Sequence, residues 1–514
     1  MSEDNFSYAL ANPLEVFLDK PAEDFQRADL FKIIEHKQIE HLTFHYTALD
    51  GKLKELKLPV SSRNQAERIL AEGERVDGSS LFKGLIEAGL SDLYVVPLYK
   101  TAFLNPFDNL SLDFICRYLN QEGKQACFTP DNILAKASDF FRKSTGLELH
   151  CLGELEFFVI SEKEPGLFPL EKQGYHEASP FIKSGEILAE SVRFLTQITG
   201  AVKYAHSENG YVGCLQSDLE EIKGKRAEQL EVEFQSAPVA EMADYLVLGK
   251  WLIRNVAYRH GCVATFAPKI EEGVAGNGLH FHIELKKKGE NVMMGSDGKL
   301  SEPARRLIGG LCEYASSLTA FGNTVPSSYL RLVPDQEAPT QIFWSDLNRE
   351  ALVRVPLGWS NEMNLAKILN PQEKDEVENT ASRQTVELRS PDGSAFVHLL
   401  LAGVVMAAEW GFKDNRSLEI AKKLYVKRDD FVNMKNLNTF LPLPNSCVES
   451  SRFLLKNREL YEREGIFPPE IIDYVAKGLK AEDDEEVSQK LQDLPEGKRL
   501  PEARKIMHRY LHIR

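Results

Sequence analysis

Several features are scarce or missing in this chain, and each absence removes a class of protein. Its seven cysteines (Cys116, Cys127, Cys151, Cys214, Cys262, Cys312 and Cys447) are scattered, with no Cys-x-x-Cys pair. Their odd number and wide spacing exclude a disulfide scaffold and fit reduced thiols. With no signal-like leader, the expected compartment is the cytoplasm. No apolar run is long enough to span a bilayer. The longest, Phe396 to Ala408, contains His398 and stops at Glu409 after 13 residues, against the roughly 20 that a span needs; it reads as a buried helix. Basic residues are in deficit, 62 Lys and Arg against 77 Asp and Glu, for a formal charge of −15. That argues against nucleic-acid or anionic-membrane partners, which need a basic surface. A nucleotide stays open, because local arginines and metal ions can meet its phosphates. There is no GxxxxGK[ST] loop, so an ordinary P-loop is absent. Internal repeats and low-complexity tracts are also missing.

The most informative feature present is a spacing. Glu154-Leu155-Glu156, His280-Phe281-His282 and Glu387-Leu388-Arg389 each place two reactive side chains two residues apart, in stretches that read as β-strands. Side chains at i and i+2 of a strand share a face, while Leu155, Phe157, Phe281, Ile283 and Leu388 turn to a core. Two carboxylates about 7 Å apart repel by roughly 2–3 kcal/mol at an effective dielectric near 20. Such a pair calls for a compensating cation. A carboxylate-rich, His-containing metal site on strand walls is the reading.

The remaining organisation is ordinary for a globular enzyme: 514 residues, 43% hydrophobic and 27% charged, enough for two or more domains. Residues 1–36 are polar, with a weak helical pattern at Phe25, Leu30, Ile33 and Ile34. A small, mostly β unit follows over 37–130. Its strands are predicted at 41–47 and 53–60 around the hairpin turn Asp50-Gly51, then at 92–97 and 112–118. Beyond a boundary near Pro130, residues 131–514 alternate helices (131–144, 185–199, 240–261, 303–321, 394–412, 452–464) with strands (147–160, 263–267, 279–285, 341–344, 351–355, 385–389). The charged stretch 481–498 reads as a solvated helix or mobile segment.

Several motifs, in order, resemble the glutamine synthetase family over most of the chain. They are Val76-Asp77-Gly78-Ser79-Ser80, Gly153-Glu154-Leu155-Glu156-Phe157-Phe158, Thr265-Phe266-Ala267-Pro268-Lys269 and Gly276-Asn277-Gly278-Leu279-His280-Phe281-His282. The longest runs from Ser328-Tyr329-Leu330-Arg331 through Asp335-Gln336-Glu337-Ala338-Pro339, Trp344-Ser345 and Asn348-Arg349 to Arg354-Val355-Pro356. Val386-Glu387-Leu388-Arg389-Ser390-Pro391-Asp392 closes the set. The resemblance implies an α+β fold: a small N-terminal β-grasp domain and a larger catalytic domain with a curved antiparallel sheet flanked by helices. It implies ATP-dependent ligation of ammonia to L-glutamate through γ-glutamyl phosphate. The implied assembly is a homo-oligomer, a dodecamer of two stacked hexameric rings with sites at subunit interfaces.

The same resemblance implies roles. One Mg²⁺ or Mn²⁺ is held by Glu154, His280 and Glu387, and a second by Glu156, Glu208 and Glu231; such hard cations favour oxygen ligands. Arg349 and Arg354 are directed at ATP phosphates, a task suited to a planar, permanently charged fork, and His282 lies near the nucleotide. Gly276, Arg331 and Arg389 lie near glutamate. Asp77 binds and deprotonates ammonium, and Glu337 sits on a closing flap as a base. The chain also departs from the pattern. Glu208 and Glu231 are separated by 23 positions, so 209–226 reads as an insertion, and Glu228 or Glu233 are alternatives to Glu231. Ala275 stands where the family usually has Asn, and Thr385 where it often has Arg; Arg383 would share the face of Thr385. These departures leave open a γ-glutamyl-amine ligase or a catalytically silent relative. The run Lys435–Pro442 lacks the Tyr that the bacterial adenylylation segment carries, so no adenylylation is expected there.

Overall fold

The computed structural model describes residues 8–85, 92–163, 174–333, 338–358, 365–374, 382–427 and 440–514. Glu337 and the stretch Lys435–Thr439 lie outside the described residues. Sixteen strands among them form two sheets. The N-terminal sheet contains β1 (His41–Thr47), β2 (Leu53–Pro59), β3 (Glu74–Asp77), β4 (Asp92–Pro97), β5 (Phe103–Leu104) and β6 (Ser111–Leu119). Its order is β2-β1-β6-β4-β3, with β5 beside β6. Asp50 caps the β1–β2 turn by accepting from Lys52 N at 3.0 Å, the Asx geometry that favours Asp there. β1 and β6 run parallel, so the sheet is a β-grasp arrangement rather than a simple meander.

The second sheet contains β7 (Glu148–Ser161), β8 (Val202–Val212), β9 (Arg226–Phe234), β10 (Ala237–Pro238), β11 (Val263–Thr265), β12 (Leu279–Lys287), β13 (Glu290–Asn291), β14 (Trp344–Asp346), β15 (Val353–Val355) and β16 (Val386–Leu388). The main path is β14-β15-β16-β12-β7-β9-β8. It is antiparallel except for the parallel pair β14–β15. β8 and β9 are not anticipated from the sequence, because polar and charged residues interrupt the apolar ones that mark a strand. The apparent insertion begins in the end of β8, which bulges between Ser207 and Tyr211, and continues as a turn that buries Leu215 and Ile222 against Phe158, Ile270 and Leu511.

Apolar residues on the far face of β7, β9 and β12 (Leu155, Phe157, Leu230, Val232, Phe281, Ile283) pack into one continuous core with the helix Val239–Arg259. The predicted apolar helix is buried along Val397–Lys413. No helix among the described residues is long and apolar enough to cross a membrane. The stretch predicted as solvated or mobile folds into the helices Val487–Asp493 and Glu496–His508. Charged contacts join the two sheets' domains: Arg117 on β6 pairs with Asp244 at 2.5 Å and Lys100 with Glu241 at 2.7 Å.

The helices Glu302–Gly322 and Val397–Lys413 approach until their backbones touch. A Cβ at Gly310 would lie 2.0 Å from the Ala407 carbonyl oxygen. Ala is favoured over Gly in a helix by about 1 kcal/mol, but overpacking a core costs about 1–3 kcal/mol and backbone cannot step aside. Packing wins: Gly310→Ala is expected to lower stability by about 1–2 kcal/mol in urea denaturation, and a stabilised variant would contradict this crossing.

Candidate active site

Strand alternation builds the site. On the catalytic sheet, cross-strand neighbours on one face are Arg354 with Glu387, Glu387 with His282, His280 with Glu154, Glu156 with Glu231, and Glu231 with His206. Residues opposite one another on adjacent strands lie within side-chain reach, so six strands contribute to one polar row. The row lines a cavity of about 720 Å³ together with Glu208, Glu233, Gln229, Lys203, Tyr175, Ala275, Gly276, Arg331, Arg349, Arg383, Thr385 and Arg389.

At one end the charges are balanced. Glu154 accepts from His282 Nε2 at 2.9 Å and meets His280 Nδ1 at 2.9 Å. Glu387, fully buried, accepts from Arg354 Nη1 at 2.8 Å and is also paired with Arg389. Burial works against both carboxylate charges, yet His282 and His280 hold Glu154 well below the usual range, and Arg389 and His282 hold Glu387 low. Burial also opposes the His282 charge, and Glu154 and Glu387 overcome it and raise its pKa.

The other end is unbalanced. Burial, reinforced by Glu154, Glu156 and Glu208, pushes Glu231 well above the carboxylate range. Burial pushes Glu156 up as well, only partly offset by His280. The nearby imidazole of His206 lies 3.5 Å from Glu231 and 3.9 Å from Glu208. Oε1 of Glu233 takes Lys203 Nζ at 2.6 Å, while its Oε2 is buried with no hydrogen-bond partner among the described residues. Clustered carboxylates with raised affinity for protons and an orphaned oxygen are the donor chemistry that a divalent cation satisfies. Among the described residues, two groups offer ligand atoms within 4.8 Å of one another: Glu154, His282 and Glu387, and His206, Glu208 and Glu231.

These groupings differ from the sets the resemblance implies. The first group contains His282, and His280 adjoins it, with Nδ1 2.9 Å from Glu154 and 3.8 Å from both Glu387 and Glu156. Both imidazoles reach Glu154, but His280 Nε2 is turned to Arg331 Nη2 at 3.1 Å. His206 takes the place of Glu156 in the second, because Glu156 Oε2 accepts from Gly278 N at 2.9 Å and Gln229 Nε2 at 3.1 Å. His282, assigned to the nucleotide, is engaged by Glu154 and by Thr385 Oγ1 at 3.1 Å. Glu228 points to the opposite face and accepts from Ser184 N at 2.8 Å, leaving Glu231 as the carboxylate beside Glu208. Arg331 is anchored by the Ser390 carbonyl at 3.0 Å, and Arg389 Nε donates to the Arg349 carbonyl at 3.0 Å. Gly276 and Gly278 have no positive φ; they are needed for space. A Cβ at Gly276 would lie 2.3 Å from the Pro268 carbonyl oxygen, and one at Gly278 would lie 2.6 Å from His280 Nε2.

Asp77 does not line this cavity. It caps the turn Gly78–Leu81 in the N-terminal sheet, accepting from Ser79 N at 2.9 Å and from Ser80 Oγ at 2.6 Å. Sequence reasoning passed over His206, Gln229 and Lys203. The signal was there: His206 and Glu208, like Gln229 and Glu231, repeat the two-residue spacing of the other pairs. Gln229 is the hinge between metal face and glycine loop, donating to Glu156, the Gly276 carbonyl and Asn277 Oδ1, each at 3.1 Å.

A sheet face that concentrates acids and imidazoles opposite guanidinium groups has the donor chemistry of a candidate divalent-metal site. Comparison with known proteins gives the family. The model of the glutamine synthetase catalytic domain matches residues 128–494, and that of the glutamine synthetase β-grasp domain matches 38–121. The chain is similar to glutamine synthetase of Pyrococcus horikoshii, 31% identical over 382 residues, covering 73% of this chain and 75% of the relative. It is 28% identical over 477 residues to that of Methylococcus capsulatus, covering 87% and 93%. Among solved structures, apo GmaS without ligand superposes with a TM-score of 0.69 at 21% identity, covering 92% of this chain and 98% of that one. The cryo-EM structure of Plasmodium falciparum glutamine synthetase gives the same values. The chain belongs to the glutamine synthetase family.

A raised Glu231 pKa has a sign. Its stabilising contribution is present below the ordinary carboxylate value of about 4.3 and is lost as pH rises through the higher folded value; a bound cation restores it. The increase in melting temperature on adding Mn²⁺ to metal-free protein is therefore expected to be larger at pH 8 than at pH 5.5. Glu231→Gln should shrink that difference, and an equal metal effect at both pH values would contradict the charge imbalance.

Proposed function

We propose that this protein ligates ammonia to L-glutamate at the expense of ATP, giving glutamine, ADP and phosphate. The observation that carries the reading is the single cavity wall on which the two acid–imidazole groups meet Arg331, Arg349, Arg354 and Arg389. Arg331 and Arg389, with the backbone at Gly276, are proposed to hold glutamate; Arg349 and Arg354 are proposed to face the ATP phosphates. Divalent ions on Glu154, His282 and Glu387 and on His206, Glu208 and Glu231, with His280 and Glu156 adjoining, would neutralise phosphate charge. The glutamate γ-carboxylate oxygen attacks the γ-phosphorus and the bond to ADP breaks. Ammonium gives up a proton, ammonia attacks the acyl carbon, the tetrahedral adduct loses a second proton to a base, and phosphate leaves as its bond to the acyl carbon breaks. The arginines position the reactants.

Asp77 and Glu337 are the proposed groups for ammonium and its proton. Because Asp77 stands away from this chain's own cavity, the reading has it supplied by a neighbouring copy in a homo-oligomeric ring. A second reading, transfer to an amine, is supported by Ala275: the small side chain lines the cavity where the family usually has Asn, leaving room for a larger acceptor or an altered amino-acid grip.

Phosphate release from ATP with glutamate and Mg²⁺ should depend on ammonium and fall more than about 100-fold in Glu154→Ala. Turnover only with an amine would decide for the second reading, and release with neither would refute both. Asp77→Ala and Glu154→Ala subunits, each inactive alone, should recover up to about one quarter of the activity when co-assembled, as a shared interface site requires; no recovery would place Asp77 outside the site.

A further inference from the structure

The helix Glu496–His508 lies beyond residue 494, where the match to the catalytic-domain model ends. It carries two adjacent stripes. Ala503 and Met507, four residues apart and so one above the other, are buried with Leu491 and pack against Leu330. Arg504 and His508, each one residue further on, face the loop that joins β11 to β12. Arg504 Nε lies 3.1 and 3.0 Å from the two carboxylate oxygens of Glu271, and Arg499 pairs with Glu272. His508 Nε2 donates to the Ile270 carbonyl at 2.9 Å. Just past the helix, Leu511 packs against Ile270 and Val274, and its carbonyl accepts from Thr265 Oγ1 at 2.5 Å.

That loop reaches into the active cavity. Its neck is closed by Asn277 N, which donates to the Pro268 carbonyl at 3.0 Å, and by Lys269 Nζ, which donates to the Val274 carbonyl. Its inner end presents Ala275 and Gly276 to the cavity. The Arg331 side chain lies directly against it: a Cβ added at Gly276 would come within 3.1 Å of Arg331 Cγ. Arg331 in turn ends the short helix Pro326–Arg331, whose Leu330 is the residue covered by Ala503 and Met507. Glu496–His508 therefore holds both the loop and the Arg331 helix from behind, yet none of its residues lines the cavity. Among the described residues, the hydrogen bonds and ion pairs that Ile270, Glu271 and Glu272 make outside the loop all go to this helix.

Glu271 is 8% exposed, so its carboxylate needs a cation, and a planar, permanently charged guanidinium fixes the orientation of its partner. A loop with a positive φ at Gly273 and two further glycines has many conformations open to it; the arginine pairs select one. We propose that Glu496–His508 is a brace that sets the affinity for the amino-acid substrate. Arg504 and Arg499 are its positioning residues: through Glu271 and Glu272 they hold the loop where Gly276 and Arg331 grip one glutamate together. This rests on the reading of Gly276 and Arg331 as glutamate-binding groups.

Steady-state kinetics and hydrogen exchange followed by mass spectrometry, both on the full chain, test the proposal. Arg504→Met and Glu271→Gln should each raise the KM for glutamate about tenfold, with kcat and the KM for ATP changed less than about twofold. The double variant should be no worse than either single one, because the two groups act as a unit. Without any substrate, amides of 269–278 should exchange at least about tenfold faster in both single variants, while those of β7 stay unchanged. A glutamate KM within about twofold of the unaltered chain, equal changes in the glutamate and ATP constants, or unchanged loop exchange overturns the brace. If the unaltered chain turns over no glutamate, the proposed reaction fails, and the loop exchange alone then decides whether the brace stands. Arg499→Ala removes the more exposed pair and should act in the same direction more weakly, which keeps the proposal falsifiable if Arg504→Met does not fold.

Discussion

The rest of the site depends on an electrostatic imbalance on one face of a sheet. Six acidic side chains, Glu154, Glu156, Glu208, Glu231, Glu233 and Glu387, surround a single cavity. Two imidazoles and two guanidinium groups satisfy Glu154 and Glu387, so those two stay ionised in the metal-free chain. Glu156 and Glu231 have no equivalent partner and hold protons more tightly. The gradient from a balanced end to an unbalanced one marks where added positive charge is worth most.

That face exists only because the opposite one is apolar. Each strand contributes acids and imidazoles upward and Leu, Phe, Val or Ile downward, and the downward set packs on the helix Val239–Arg259 within one continuous core. A slip of one residue would exchange the faces entirely. The register of β7 with β9 and β12 is therefore held by core burial, and the acids are carried along. Close backbone packing does the rest: Gly276 and Gly278 let the loop before β12 pass so near Pro268 and His280 that Glu156 can accept directly from the main chain.

Charge balance recurs where the two domains meet. Arg117 crosses from the N-terminal sheet to Asp244, which also receives His398 Nε2 at 3.2 Å. There the opposing charges are matched and buried.

Much of this was legible in the chain itself. Strand periodicity and the two-residue spacing of Glu154–Glu156, His280–His282 and Glu387–Arg389 located three walls of the cavity, because side-chain alternation is a local property of extended backbone. The ordered motifs indicated the family and the α+β architecture. The strands β8 and β9 were not legible: their cavity face carries charge, so the hydrophobic signal that marks a strand is diluted, and their pairing is decided by the neighbours β7 and β9 find in space. Which imidazole joins which carboxylates was likewise a tertiary matter. His280 and His282 are equivalent by spacing, and it is Arg331, a residue some fifty positions along the chain, that takes the second nitrogen of His280 while Thr385 takes that of His282. The sequence by itself determined which side chains share a face; only the fold decided which of them meet, because contact between strands depends on register and packing that no local pattern encodes.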